Sequence, residues 1–381
     1  MASKYRLFSA DSHLEISPSR WTDRVPEKYR DRAPRLVKLA NGGDGIIIEG
    51  RPLYVVGLAI AGKPYERHEL RGISYEGSEG AGSPEQRLKE QDQDGVDGEI
   101  LYTSASNLSF WRGIKNDDAY LATVHAYNTF LAEEYCVANR DRLVALGAIP
   151  TDSVDAAVKE MEYCAKAGLK GMMLNTFPSG KSYPTAEDDR FYAAALDLNM
   201  PLSVHVAMGL PDGPLFKYDK DPGEVAFGGD PIRVLTRFGG NSGLNAMQLL
   251  LSGVFDRYPK LRIYWAETQM GWLPYYYDQL DDVYKRSKHW MQRYFDLKPL
   301  AKEPSAYFRE HFYWGFIYDR IGVRMRYDVG VDKIMWGNDF PHSAGDWPNS
   351  KRVIADLFSA VPEDEKQKML VDNAVNFFHL N

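Results

Sequence analysis

"LVALGAIPTDSVDAAVKEMEYCAKAGLKGMMLN", residues 143–175, opens on an apolar run, breaks at Pro150 and closes on a second apolar run. Between them, Asp152 or Ser153 stands where a helix N-cap belongs. Val154, Val158, Met161 and Ala165 then recur at helical spacing up to Gly168, a helix stop. The two apolar runs are short and bounded by turn residues, as buried strands are. A strand, a helix and a strand in this order make a unit whose strands are parallel, because a tight hairpin cannot join them.

The alternation continues on both sides. "DGEILYTS" (97–104) is a strand behind a charged helix from Pro84 to Gln93, and Asp117 to Asn139 form a long helix. Its residues Leu121, Val124, Asn128, Leu131 and Tyr135 fall near one face. Downstream come a helix from Asp189 to Leu198, the strand "MPLSVHV" (200–206), a helical stretch from about Ile232 to Phe255 and the strand "LRIYWAE" (261–267). "HFYWGF" (311–316) and "DKIMWGN" (332–338) supply two more strands. With the opening stretch, the apolar Tyr5-Arg6-Leu7-Phe8 followed by "SADSHLEI" (9–16), there are eight. Eight βα units predict a closed (β/α)8 TIM barrel over residues 1–381, ahead of an open doubly wound sheet.

Three segments exceed a minimal barrel: 41–83, with a probable hairpin "GIIIEGRPLYVV" and a Gly/Ser-rich run, 207–230, dense in Gly, Pro and Asp, and 287–306. The first two follow barrel strands, which places them on the C-terminal rim where barrel active sites form.

Composition narrows the function. The 381 residues are 44% hydrophobic and 26% charged, enough for a core that needs no disulfide. Cys136 and Cys164 show no paired spacing and read as reduced thiols of a cytoplasmic protein. A net charge of −7 with no sizeable Lys/Arg block argues against nucleic acid, and no apolar run reaches membrane-spanning length. The expected partners are a small-molecule substrate and further copies of the chain, since 24 Tyr and 8 Trp favour a homo-oligomer.

Polar residues then gather at the strand ends. Asp11, His13 and Glu15 alternate along the first strand, so they share a face. His205 ends the fifth strand, Glu267 the sixth, and Asp339 follows the eighth. One such histidine is most often structural. Several at one barrel mouth form a typical ligand set for zinc or manganese, because buried unpaired carboxylates are costly without a cation.

These residues also carry a resemblance. "ADSHLEISPSRWTDRVPEKYRDRAPR", "PLSVHV", "YPKLRIYWAETQMGWLPYYYDQLDD" and "KIMWGNDFPHSAGDWP" together resemble the amidohydrolase-related family. That family includes the aminocarboxymuconate-semialdehyde and γ-resorcylate decarboxylases. The resemblance implies one divalent metal, zinc or manganese with iron as a further option, held by Asp11, His13, His205 and Asp339. The first-strand pair is Asp11/His13 or His13/Glu15; the first directly follows the apolar run and is preferred. Decarboxylases of the group carry a proton-transferring His at the end of the sixth strand, where this chain has Glu267. His311, His342 and Trp347 are candidates around the pocket.

The leading expectation is therefore hydrolysis of a small organic substrate by a metal-activated water, with Asp339 as proton carrier and Glu267 sharing the task. The alternative is non-oxidative decarboxylation of an aromatic or dienoic acid, with Asp339 or Glu267 protonating carbon. Arg112, Arg71 or His68 would then hold the substrate carboxylate. A third reading places two iron or manganese ions at the site for oxygen chemistry, using Glu15, Glu267 and His311 or His342.

Overall fold

The computed structural model describes residues 4–53, 61–69, 71–103, 105–209 and 240–381. β1 (Phe8–Leu14) is followed by a small antiparallel sheet of β2 (Arg35–Lys38), β3 (Asp44–Ile48) and β4 (Arg51–Leu53), then by β5 (Gly98–Thr103). β6 (Leu143–Ala145) and β7 (Gly147–Ala148) are two halves of one barrel strand split at Leu146. β8 (Met172–Leu174), β9 (Leu202–His205), β10 (Ile263–Ala266), β11 (Phe312–Phe316) and β12 (Ile334–Trp336) complete the set. Parallel pairing runs β1–β5–β6 and β7–β8–β9–β10–β11–β12, and the circuit closes where Ser12 bridges Phe340, just past β12. The fold is the (β/α)8 barrel that the 143–175 unit predicts.

Local chemistry sets the helix bounds. Ser153 accepts a hydrogen bond from the Ala156 amide at the start of helix Val154–Ala167, and Gly168 ends it at φ 90°. Ser83 caps helix Pro84–Asp94 through the Gln86 amide.

Register decides which side chains meet inside the barrel. Ser203 pairs with Met173 on one side and Tyr264 on the other; two residues on, His205 pairs with Ala266. Neighbours in register point to one face. The Tyr102 hydroxyl reaches Ser203 Oγ at 2.6 Å across the interior, whereas Trp265, Trp314 and Trp336, on the alternate positions, are buried beneath the surrounding helices.

The seam between β1 and β12 is built differently from the other strand pairs. The His13 amide donates to Phe340 O at 2.7 Å and the Asp339 amide to Asp11 O at 2.9 Å. Ser12 Oγ donates to Asn338 Oδ1, and Asn338 Nδ2 to Asp94. Glycine is required at 337, since a Cβ there would lie 2.5 Å from that of Asp11. Behind the seam, buried Arg87 pairs with Glu99 at 2.7 Å and donates to the carbonyls of His13 and Phe340.

Some expectations shift. β1 starts at Phe8 and carries "SADSHL" within it, so Asp11 and His13 lie inside the strand and Glu15 just beyond its end. Residues 287–295 belong to one helix, Leu273–Phe295, and do not form a separate insertion. The β3–β4 hairpin stands where "GIIIEGRPLYVV" predicted one, with residues 54–60 outside the described residues. Most of the 207–230 segment and the start of the 232–255 helix are likewise outside them. Among the described residues, no helix is long and apolar enough to cross a membrane.

Arg87→Met strands the Glu99 carboxylate and two carbonyls in the interior. It should lower stability by about 3–5 kcal/mol, the usual cost of breaking a buried pair. Adding Glu99→Leu should recover part of that loss in chemical unfolding. A double variant no more stable than the single one would show that the pair does not hold the seam.

Candidate metal centre

Asp11, His13, His205, Glu267 and Asp339, all buried, each place one ligand atom within 4.8 Å of all the others. Asp11 and His13 come from β1, His205 from the end of β9, and Glu267 and Asp339 from just beyond β10 and β12. Parity alone would turn Glu267 away from the mouth, because Ala266 is the residue in register with His205. A left-handed backbone at Glu267, φ 55°, turns it back. Asp339 at φ 53° and Val206 at φ 58° sit at equivalent strand ends, and for a β-branched valine that conformation is a genuine outlier. Backbone strain of this kind clusters where a site demands it.

The separations have the pattern of atoms sharing a cation. His13 Nε2 stands 3.1 Å from Asp339 Oδ1 and 3.6 Å from Asp11 Oδ1, and His205 Nε2 is 3.4 Å from Asp11 Oδ1 and 3.3 Å from Glu267 Oε2. Metal–ligand bonds of about 2.1 Å space adjacent ligand atoms by roughly 3.0–3.4 Å. Both His13 nitrogens and both Asp339 oxygens are buried without a hydrogen bond among the described residues, so the close His13–Asp339 approach aims two atoms at a common point rather than at each other. Three carboxylates this close repel by about 4 kcal/mol per pair at an effective dielectric near 20. A divalent cation removes that penalty, and the donor set fits one.

Electrostatics agree. Burial, then the like charge of His342 and His205, pushes His13 well below the usual histidine range, which leaves its nitrogen lone pair available. Burial raises the Asp339 carboxyl, but the field of His342 and contact with His13 outweigh it and hold the acid well below its ordinary range. For His342, burial acts downward, yet Asp339 and then Glu15 push it up to about 10.

The remaining predicted residues divide. Glu15 lies one alternation beyond His13 and is not in the ligand group; its Oε1 bonds His342 Nε2 at 3.0 Å. His342 Nδ1 is 3.3 Å from Asp339 Oδ1, and its ring stacks on His13 at 3.9 Å. The alternation of "DSHLE" signalled Glu15, but the link through His342 is a tertiary contact. His311 is corrected: it ends helix Pro304–His311 at the start of β11, at the opposite end of the barrel. There its Nδ1 bonds Leu261 O and its ring stacks on Phe255 at 4.3 Å. Trp347 packs on Phe340 and donates to Glu90 O. Arg112 lies over Tyr120 between Asp117 and Asp152, and His68 contacts Lys63 O, so neither is aimed into the ligand group. For Arg71, the amide bonds Glu69. The described residues hold one ligand group; of the residues invoked for a second metal, Glu267 belongs to it, whereas Glu15, His311 and His342 stand outside it.

The fold and this cluster define a barrel enzyme with a divalent-metal centre at the C-terminal mouth. The family model for amidohydrolases matches residues 11–380, and the chain belongs to that family. It is 26% identical over 315 residues to γ-resorcylate decarboxylase of Polaromonas sp. (strain JS666), covering 78% of this chain and 87% of that protein. An amidohydrolase of Mycobacterium avium subsp. paratuberculosis superposes with a TM-score of 0.70 at 17% identity, covering 99% and 100% of the two chains. A dihydroxybenzoic acid decarboxylase from Polaromonas sp. JS666, with bound manganese and the inhibitor 2-nitroresorcinol, gives 0.61 at 22% identity, covering 98% and 97%. These relatives correct the leading expectation of hydrolysis. The family is shown, but relatives aligned over three quarters of the chain are decarboxylases. Glu267 in place of the expected histidine misled that reading, because one substituted position does not report the reaction.

Two substitutions separate the first-strand carboxylates. Asp11→Asn should lower bound metal per chain in elemental analysis at least as far as His205→Ala does, since a site of this kind tolerates loss of a ligand poorly. Glu15→Gln should keep metal near the wild-type content. The reverse order would place Glu15 among the ligands and Asp11 outside them.

Proposed function

We propose that the protein is a metal-dependent, non-oxidative decarboxylase of an aromatic acid. The observation that carries this reading is the buried ligand group at the mouth of a barrel whose sequence relatives are γ-resorcylate decarboxylases. Asp11, His13, His205, Glu267 and Asp339 would hold the cation. Three carboxylate oxygens with two imidazoles suit manganese better than zinc, whose sites are mostly tetrahedral with nitrogen and sulfur ligands.

The cation supplies a Lewis-acid field for the substrate's carboxylate and an adjacent oxygen. The reaction breaks the bond between ring carbon and carboxylate; carbon dioxide leaves, its electron pair stays on the ring, and a proton takes its place. That proton needs a donor at the mouth. Asp339, with His342 3.3 Å behind it and Glu15 3.0 Å beyond, heads a line of ionisable groups leading away from the ligand group. His342, raised to about 10, holds the proton at neutral pH, and Asp339 passes it on to the vacated ring carbon. Glu267, 3.3 Å from His205, orients that imidazole and completes the ligand group.

Metal-loaded protein should release carbon dioxide from a 2-hydroxybenzoate carrying a second ring hydroxyl or a methoxy group, and in heavy water it should place one deuterium on the vacated ring carbon. His342→Gln should keep the metal and lose on the order of a hundredfold in turnover, the scale of general acid–base catalysis. Glu267→Gln should lose metal as well as turnover. Full metal content with no carbon dioxide from any aromatic acid tested would sink the proposal.

A further inference from the structure

The hydrogen-bonded barrel strands fall into two groups, β1–β5–β6 and β7 to β12, and the ligand atoms are divided between them. Asp11 and His13 stand on the first group. His205 stands on the second, with Glu267 and Asp339 just beyond its strand ends. The two groups meet in the barrel wall, at the seam and around Leu146. β1 and β9 are the first and fifth of eight barrel strands, so they face each other across the interior. A small flexing at either junction therefore changes the gap between His13 and His205.

One contact crosses that interior. Tyr102 pairs in register with His13 on the neighbouring strand, and its hydroxyl lies 2.6 Å from Oγ of Ser203, two residues before His205. Ser203 has a single hydroxyl proton and donates it to Tyr264 O at 3.2 Å, so Tyr102 is the donor in the first bond. Tyr264 belongs to β10, the strand that Glu267 follows. All three residues are buried. The Tyr102 ring also lies against both ligand histidines: its centroid is 5.2 Å from that of His205 and 6.0 Å from that of His13. The two imidazoles meet edge-on at 4.4 Å and 87°.

A phenylalanine would fill the same space with no hydroxyl to satisfy, so packing alone does not account for a tyrosine here. What the hydroxyl adds is a tie between the two strand groups. Metal sites depend on such ties, because groups outside the ligand set hold the ligands in place.

We propose that Tyr102 is a positioning residue of the metal centre: its bond to Ser203 braces the barrel across the interior and sets the separation of His13 from His205. The proposal rests on the site's holding a divalent cation, not on the reaction assigned to it.

Manganese alone, titrated into metal-free full-length protein and followed by electron paramagnetic resonance, tests this. Wild type should bind the ion. Tyr102→Phe leaves no donor unpaired, since Ser203 keeps its bond to Tyr264. It should raise the dissociation constant about tenfold or more and change the spectrum of the bound ion, with an unchanged circular dichroism spectrum. Ser203→Ala removes the same bond from its other end and should act likewise. The double variant should bind no more weakly than the weaker single one, because both changes break one contact. Wild-type affinity and spectrum in Tyr102→Phe would overturn the positioning role, even with a lowered melting temperature. Additive losses in the double variant would do the same. A wild type that binds no manganese would overturn the metal centre itself, and this proposal with it.

Discussion

The closure of the barrel between β1 and the chain after β12 is the contact from which the rest follows. Asp11 and His13 stand on one side of this seam and Asp339 on the other, so closing the barrel assembles three of the five clustered side chains at once. Ordinary strand pairing is reduced there to a few backbone bonds, and Ser12, Asn338 and Asp94 replace the ladder with side-chain bonds. Gly337 lets the two strands approach closely enough, and Arg87 ties carbonyls from both sides into one buried network. Seam and site are one construction.

The site is assembled against its own electrostatics. Three carboxylates and two imidazoles meet in a buried volume, and the close-packed barrel holds them there. Backbone at Val206, Glu267 and Asp339 adopts the left-handed region to complete the geometry. Each such residue costs of order 1–3 kcal/mol, which the large aromatic core beneath the helices can bear. All three lie just beyond the ends of their strands, so the cost stays local.

The ligand group and helix Leu273–Phe295 occupy different parts of the same architecture. The cluster is at the C-terminal mouth. The helix runs along the outer layer, and its first residues pack on the core.

Much of this was legible in the sequence. The alternation of short apolar runs with capped helices determined a parallel barrel, because no other closed arrangement satisfies eight βα units. His13, His205 and Asp339 were legible as polar residues ending buried strands, where only convergence on something explains them. His311 looked equivalent, but it precedes its strand, and a strand's two ends face opposite mouths. The direction of Glu267 was not legible: period-two alternation turns it outward, and only the backbone reversal set by its surroundings brings it in. Nor was the pairing of Glu15 with His342, residues more than three hundred positions apart, whose meeting depends on the seam. Sequence alone determined which elements form and which side chains each can offer, because those properties are local. Tertiary structure decided which of them share a point in space, because that depends on barrel closure and on strained turns that no local pattern encodes.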